Sequence, residues 1–504
     1  MSSESDAASA LSRINHFVVL MLENRSFDHL LGSLKSANPA VEGSLSGEYS
    51  NRLDPSDPTS PAVQTGPASG FSMPYDPGHE FADVQLQLYG PGSPASRSAG
   101  VPVDPAPMSG FVYSALDAAS SAAEAGLVMQ GYQPAQLPVL MTLAQQFALF
   151  NRWHSPLPGP TWPNRFFARA GTSGGLSDSP SDPQILAGFT FSGGTIYQRL
   201  EGAGKNWHIY HDGLPQAAGI DHLRTEMLNI FTPRFRDMDD FESDLAADAW
   251  PEYIFIEPNY DTGHRYVRGN SMHPLNDVRH GEALVKRVYE ALRNSRYWAD
   301  TVLLITFDEH GGFFDHVAPP AATPPGDAER YADGQHPFAF DRLGVRVPAI
   351  VVSPYTRANT VLGQGPQDAL DHSAILKTLE KRYGLSPLTA RDQASATLEP
   401  ALNLAQPRLQ ASEAPLTLPN PPPEGLIARV KEWIEAPTVD DNVPLSPGQR
   451  VQLTLAHACN LRMLEGDTAR PAAQQRYETL TGRKAQADYV QEVEDRIRAR
   501  RQRG

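Results

Sequence analysis

Apolar residues in this chain fall into two kinds of run. His16 to Leu22, Tyr253 to Ile256, Val302 to Phe307 and Val347 to Ser353 are short blocks of β-branched and aliphatic residues. Such blocks read as strands buried on both faces, the pattern of a parallel sheet. Trp207 to His211 is a weaker strand of the same sort. Gly281 to Asn294 and Asp371 to Gly384 instead place apolar residues three and four apart. Gln136 to Phe150 does the same through Leu137, Leu140, Leu143 and Phe147, and all three predict helices. Strands alternating with helices predict an α/β fold, a mostly parallel central sheet with helices on both faces.

Two of the strands end alike. The first runs into Glu23 and Asn24, and the strand from Val302 runs into Asp308, Glu309 and His310, followed by Gly311 and Gly312. Neighbouring strand residues point to opposite faces, so both members of a pair reach one point only where the strand has ended and the chain bends. Glycine permits that bend. A single carboxylate after a strand ordinarily caps the next helix. Its repetition, at the sheet edge where open α/β folds bind ligands, argues for a shared cation. Two carboxylates from one strand, and a carboxylate with an amide from the other, form an all-oxygen set suited to Ca²⁺, Mg²⁺ or Mn²⁺ better than to zinc.

Between these strands lies Pro158-Gly159-Pro160, which cannot be helical, followed by Thr161 and Pro163. Threonine is a favoured N-cap and proline is tolerated in a first turn, so Thr161 is placed at a helix start. Free N–H groups and the positive dipole end there suit a phosphate. An ordinary capping threonine fits the same pattern.

Leu34 to Pro107 is rich in proline, glycine and serine and reads as a long excursion or lid, within which lies His79. With the loop from His316 to Pro337 it is expected to shape the mouth of any site. Three parts are expected: a catalytic domain over 14–399, a proline-rich linker over 400–424, and a helical C-terminal region over 425–504 that stays apart from the chemistry. Its helices are placed at Gly425 to Ala436, Ser446 to Glu465 and from Ala487 onward, the last with a basic, solvated end.

The 504 residues can bury a large core, and a formal charge of −16 excludes a nucleic-acid partner of the usual basic kind. One cysteine, Cys459, rules out an intramolecular disulfide framework or a thiolate metal cage. No run approaches the ~18 apolar residues of a spanning helix. Met1 to Arg13 lacks the apolar core of a secretory signal. A soluble protein is expected, with at most peripheral membrane contact: cytoplasmic, exported without a cleaved signal, or exported by a signal already removed from this sequence.

Six segments in order carry a resemblance: Glu23 to His29, Gly159 to Arg165, His273-Pro274, Asp308 to His316, Gly344 to Pro348 and Asp371 to Ser373. Together they resemble the motifs of the bacterial and plant phosphoesterase family, which contains non-specific phospholipases C and a group of bacterial acid phosphatases. The resemblance implies an alkaline-phosphatase-like α/β/α sandwich with long loop insertions. It implies one divalent metal ion held by Glu23, Asn24, Asp308, Glu309 and Thr161, with Thr161 as nucleophile. His79 and His273 would contact the phosphoryl group, and His211 would join them on a looser match. The implied activity is hydrolysis of phospholipids or small phosphate esters through a phosphothreonine. Broad phosphomonoesterase activity and a metal-containing binding protein are the alternatives. A sulfatase is disfavoured because no Cys-x-Pro-x-Arg segment is present. His29, His310, His316 and His372 are left between site and structural roles.

Overall fold

The computed structural model describes residues 11–92, 105–261, 269–424, 445–464 and 469–501. Its centre is an eight-stranded sheet. In chain order the strands are β1 (His16–Leu22), β2 (Ala148–Phe150), β3 (Trp207–His211), β4 (Phe235–Asp237), β5 (Tyr253–Glu257), β6 (Thr301–Phe307), β7 (Ala349–Val352) and β8 (Thr360–Leu362). Across the sheet they run β8-β2-β7-β6-β1-β5-β3-β4. β7 alone is reversed against its neighbours β6 and β2, so the sheet is mostly parallel, as the unbroken apolar blocks predict. β1 and β6 are buried along their whole length, as central strands covered on both faces must be.

The helices that place the site are α1 (Phe27–Leu31), α2 (Phe81–Tyr89), α3 (Pro138–Gln146), α4 (Thr161–Ala170), α5 (Val278–Arg293) and α6 (Ser373–Tyr383). α3 packs on α5 and α4 on α6, giving an α/β/α sandwich. The 136–150 segment departs from its periodicity. Its helix ends at Gln146, and Ala148 to Phe150 becomes β2, paired on both sides. Backbone pairing inside a buried sheet outweighs the weak local preference of three residues. α5 begins at Val278 because Asp277 caps it, accepting from Arg279 N.

The long excursion after α1 is anchored by a small core of its own, in which Tyr75, Val84, Leu88 and Phe111 pack with Phe313 and Phe314. Residues 400–424 are no free linker. Ala414 and Leu418 are buried in the main core, and Arg293 donates to the carbonyls of Leu409, Gln410 and Ala414. The helix expected at 425–436 lies outside the described residues.

Beyond it come α7 (Pro447–Met463), α8 (Ala469–Glu478) and α9 (Arg483–Arg501). Leu455, Ala456 and Cys459 of α7 and Val493 of α9 belong to the same apolar cluster as β1 and β6. Core residues therefore continue through the C-terminal helices rather than stopping at residue 399. At the end of α9 Arg496, Arg498 and Arg500 are exposed, as expected of a solvated basic end, but Arg501 is largely buried and donates to His211 Nε2 at 2.9 Å. Among the described residues no helix is long and apolar enough to cross a membrane.

Candidate active site

The register of β1 against β6 builds the site. Leu22 lies opposite Phe307, so the next residues, Glu23 and Asp308, leave the sheet side by side. The stitching continues past the strands: Asp308 N donates to Leu22 O at 3.2 Å, and Arg25 N to Glu309 O at 2.9 Å. Asn24 takes the left-handed conformation, φ 57°, which asparagine tolerates better than most residues. Its backbone N–H thereby reaches Asp308 Oδ1 at 3.0 Å. Gly311 also lies at positive φ, and a Cβ there would sit 2.1 Å from Asn24 O. Only glycine lets the two strand ends approach this closely.

α4 is tied to the same edge by two arginines one turn apart. Arg165 Nε donates to Asp308 Oδ2 at 2.9 Å, and its Nη2 to the carbonyls of Met21 and Leu22. Arg169 pairs with Glu257 at the end of β5, 2.7 Å away. Both arginines are fully buried. At the start of α4 the Asn164 side chain staples the preceding turn, accepting from Leu157 N and donating to the carbonyls of Gly159 and Pro160. Thr161 is the first helical residue and Pro160 occupies the cap. Thr161 is therefore not the capping residue its type suggested.

Thr161, Glu23, Asn24, His79 and His273 line one cavity of about 300 Å³. Trp162, Gln216, Tyr260 and the carboxylates of Asp76, Glu80 and Asp83 complete much of its wall. Ser446, Pro447, Gly448 and Gln452 of the C-terminal region also line it. The expectation that this region stays apart from the site is corrected: the first turns of α7 form part of the cavity wall.

Unpartnered oxygens identify where positive charge is wanted. Glu23 Oε2, Asn24 Oδ1 and Glu309 Oε1 are buried without a hydrogen-bond partner. Burial, then repulsion from Asp308, pushes the Glu23 carboxyl up to about 8. Asp308 differs. Its oxygens take three donors, the amides of Asn24 and Glu309 and the Arg165 guanidinium, leaving about one of roughly four lone-pair sites. This donor set is all oxygen, and three of its oxygens have no hydrogen-bond partner, so it fits a hard divalent ion.

A second acidic cluster, Asp28, Asp315 and His316, has ligand atoms within 4.8 Å of one another. The buried Arg346 already fills it, bonding Asp315 Oδ1 at 2.9 Å and Asp28 Oδ1 at 3.2 Å, while His316 Nδ1 meets Asp28 Oδ2 at 2.6 Å. A guanidinium stands where a metal ion would go.

The histidines separate by surroundings. His79 is held through Nδ1 to Pro77 O at 2.8 Å, with Nε2 3.2 Å from Asn24 Nδ2. Burial would lower its pKa, but Glu309, Asp76 and Glu80 outweigh burial and push it up to about 10. His273 is pushed well down by burial and then by the charges of His79 and Arg25. Its ring lies 6.5 Å from that of His79, and Arg25 fixes its segment by bonding the carbonyls of Met272 and His273.

His211 does not join them. It lines a separate cleft with Asp237 and Arg501, its Nδ1 on Gly213 O and its Nε2 on Arg501. The end of β3 lies two strands from β1, too far along the edge for its terminal side chain to reach the oxygen cluster. His29, His310 and His372 are buried and His316 half-buried, hydrogen-bonding to Arg25, Gln87, the Asp308 carbonyl and Asp28 respectively.

Arg165, Asp76, Tyr260, Gln216 and Gln452 were not singled out from sequence. Asp76 and Arg165 lie inside segments the sequence marks. For Gln216 and Gln452 no local signal exists.

Strand-end oxygens, a hydroxyl at a helix start and two histidines around one cavity define the class of protein, a phosphoric ester hydrolase on an α/β/α sandwich. The family model described as Phosphoesterase family matches residues 14–386, and the chain belongs to that family. It is 37% identical over 425 residues to Non-specific phospholipase C3 of Arabidopsis thaliana, covering 83% of this chain and 78% of that protein. To Non-specific phospholipase C6 of the same plant it is 39% identical over 420 residues, 82% and 76% of the two chains. A solved protein of the alkaline phosphatase superfamily from Vibrio parahaemolyticus overlays with a TM-score of 0.31 at 16% identity, over 52% of this chain and 64% of that one.

Proposed function

We propose that this enzyme is a phospholipase C type phosphoesterase that cleaves phospholipids on the glycerol side of phosphorus, with Thr161 as nucleophile. The observation that carries the reading is the single cavity holding Thr161 with Glu23, Asn24, His79 and His273. Relatives named non-specific phospholipases C support the substrate class.

Glu23, Asn24, Glu309 and Thr161, with the remaining lone pair of Asp308, would hold one divalent ion. Bound there, the ion supplies positive charge that acidifies the Thr161 hydroxyl and offsets the phosphoryl charge. Thr161 Oγ attacks phosphorus in line as the diacylglycerol alcohol departs, leaving a phosphothreonine diester that still carries the head group, and water then releases the phosphorylated head group. The N–H groups at the start of α4 face the same region and favour phosphoryl oxygens. His79, held through Nδ1 on the Pro77 carbonyl, donates from Nε2 to the leaving alcohol oxygen, a role worth roughly 10²–10⁴-fold. His273, kept neutral, orients a phosphoryl oxygen.

The test is acid quenching during turnover of a phosphatidyl substrate, followed by peptide mass spectrometry. A phosphorylated head group on the peptide containing Thr161, and its loss in Thr161→Ala, is expected. Full turnover by Thr161→Ala would overturn the covalent route.

A further inference from the structure

Gln216 lines the cavity that holds Thr161. The residue is 3% exposed, and neither its Nε2 nor its Oε1 has a hydrogen-bond partner. Folding does not leave a buried carboxamide bare without cost, because an unsatisfied donor or acceptor forfeits its hydration.

The amide is held in place firmly. Gln216 N and Ala217 N donate to the two oxygens of Glu257 at 2.7 and 3.0 Å. Glu257 is itself gripped by Arg169 at 2.7 Å and by the Tyr260 hydroxyl at 2.6 Å. From the outer side, Leu214 N donates to Glu494 at 2.9 Å, and Leu214 O accepts from Gln452 at 2.8 Å. The C-terminal helices thus clamp the turn that carries Gln216, and neither polar atom of its side chain has a hydrogen-bond partner among the described residues.

We propose that Gln216 is a specificity-determining residue that reads a hydroxyl group of the phosphate ester. A carboxamide presents a carbonyl acceptor beside an N–H donor. An alcohol group donates to the first and accepts from the second, and a polyol does so with neighbouring hydroxyls. A trimethylammonium group can do neither. The favoured esters are therefore those with a hydroxylated head group, of the phosphoglycerol or phosphoinositol kind, over those with a quaternary ammonium. This inference rests on the phosphoesterase reading of the cavity. A site built to pair with a hydroxyl penalises the ligand that lacks it, because its own polar groups then stay bare.

The test compares the wild type with Gln216→Met, which keeps the length of the side chain and removes both hydrogen-bonding groups. Calorimetry measures binding of glycerol 3-phosphate and of phosphocholine to each protein with Mg²⁺ or Ca²⁺ present. Alongside, kcat and KM are measured for phosphatidylglycerol and phosphatidylcholine in mixed micelles. The ratio of the two Kd values should shift by about tenfold toward phosphocholine in the variant, with kcat/KM following. Its melting temperature should hold or rise, since a bare buried amide is replaced by an apolar group of similar shape.

If Gln216→Met does not fold, Gln216→Leu carries the same comparison. An unchanged ratio in a folded variant would overturn the proposal and mean that water satisfies the amide. Failure of the wild type to bind either phosphate ester would overturn it too. A shifted binding ratio without turnover of any lipid would uphold the role of Gln216 while rejecting the phospholipase reading.

Discussion

Replacing Arg165 by methionine tests how the helix that Thr161 opens is coupled to the acidic strand ends. Arg165 and Asp308 are both fully buried, their ion pair is 2.9 Å long, and Arg165 also bonds the carbonyls of Met21 and Leu22. Removing one partner of such a pair strands a buried charge, at about 3–5 kcal/mol. Loss of two carbonyl contacts adds about 1 kcal/mol each. The sum, roughly 5–7 kcal/mol, is comparable to the whole stability of an ordinary domain.

Arg165→Met should therefore sit near its folding threshold, with a much lower urea midpoint by tryptophan fluorescence. Most of that loss comes from the charge left behind on Asp308, so the double variant Arg165→Met, Asp308→Asn should be more stable than Arg165→Met alone. A coupling of about 1–3 kcal/mol is expected from the double-mutant cycle. Mg²⁺ or Ca²⁺ should raise the midpoint of Arg165→Met more than that of the wild type, because the ion offsets the same stranded charge. Additive effects, or a loss below about 1 kcal/mol, would refute the reasoning.

Thr161→Ala should fold, since no capping bond of its side chain is lost, and lipid turnover should fall by several orders of magnitude, with Thr161→Ser retaining measurable activity in the same assay. Chelation should abolish release of nitrophenol from nitrophenyl phosphate, and Mg²⁺, Ca²⁺ or Mn²⁺ should restore it more fully than zinc; undiminished turnover in chelator would reject the metal site. Burial and then the neighbouring Asp392 push the Glu380 carboxyl up to about 8. Folded protein thus holds a proton that the unfolded chain has released between about pH 5 and 8, and stability from this group falls as pH rises through that window. Glu380→Leu should accordingly gain melting temperature over the wild type at pH 9 more than at pH 5. Cys459 is fully buried with its thiol pushed up to about 11, so it should react with a thiol reagent only after unfolding.

The sequence by itself determined the parts of this protein that are local. Unbroken apolar blocks marked the central strands because a strand covered on both faces tolerates few polar residues. The oxygen-bearing residues at the ends of β1 and β6, and Thr161 after its rigid proline turn, were legible because each depends on a few consecutive residues. Tertiary structure decided whatever depends on which strand lies beside which. Only the pairing of β1 with β6 sets Glu23 beside Asp308, and only the sheet order carries His211 away from them. Packing turned 148–150 into a strand and 400–424 into a strap, since partners supplied from far along the chain outweigh weak local preference. The entry of Gln452 and the first turn of α7 into the cavity wall is of the same kind. Nothing within a few residues of those positions encodes it, because the groups they face are more than two hundred residues away.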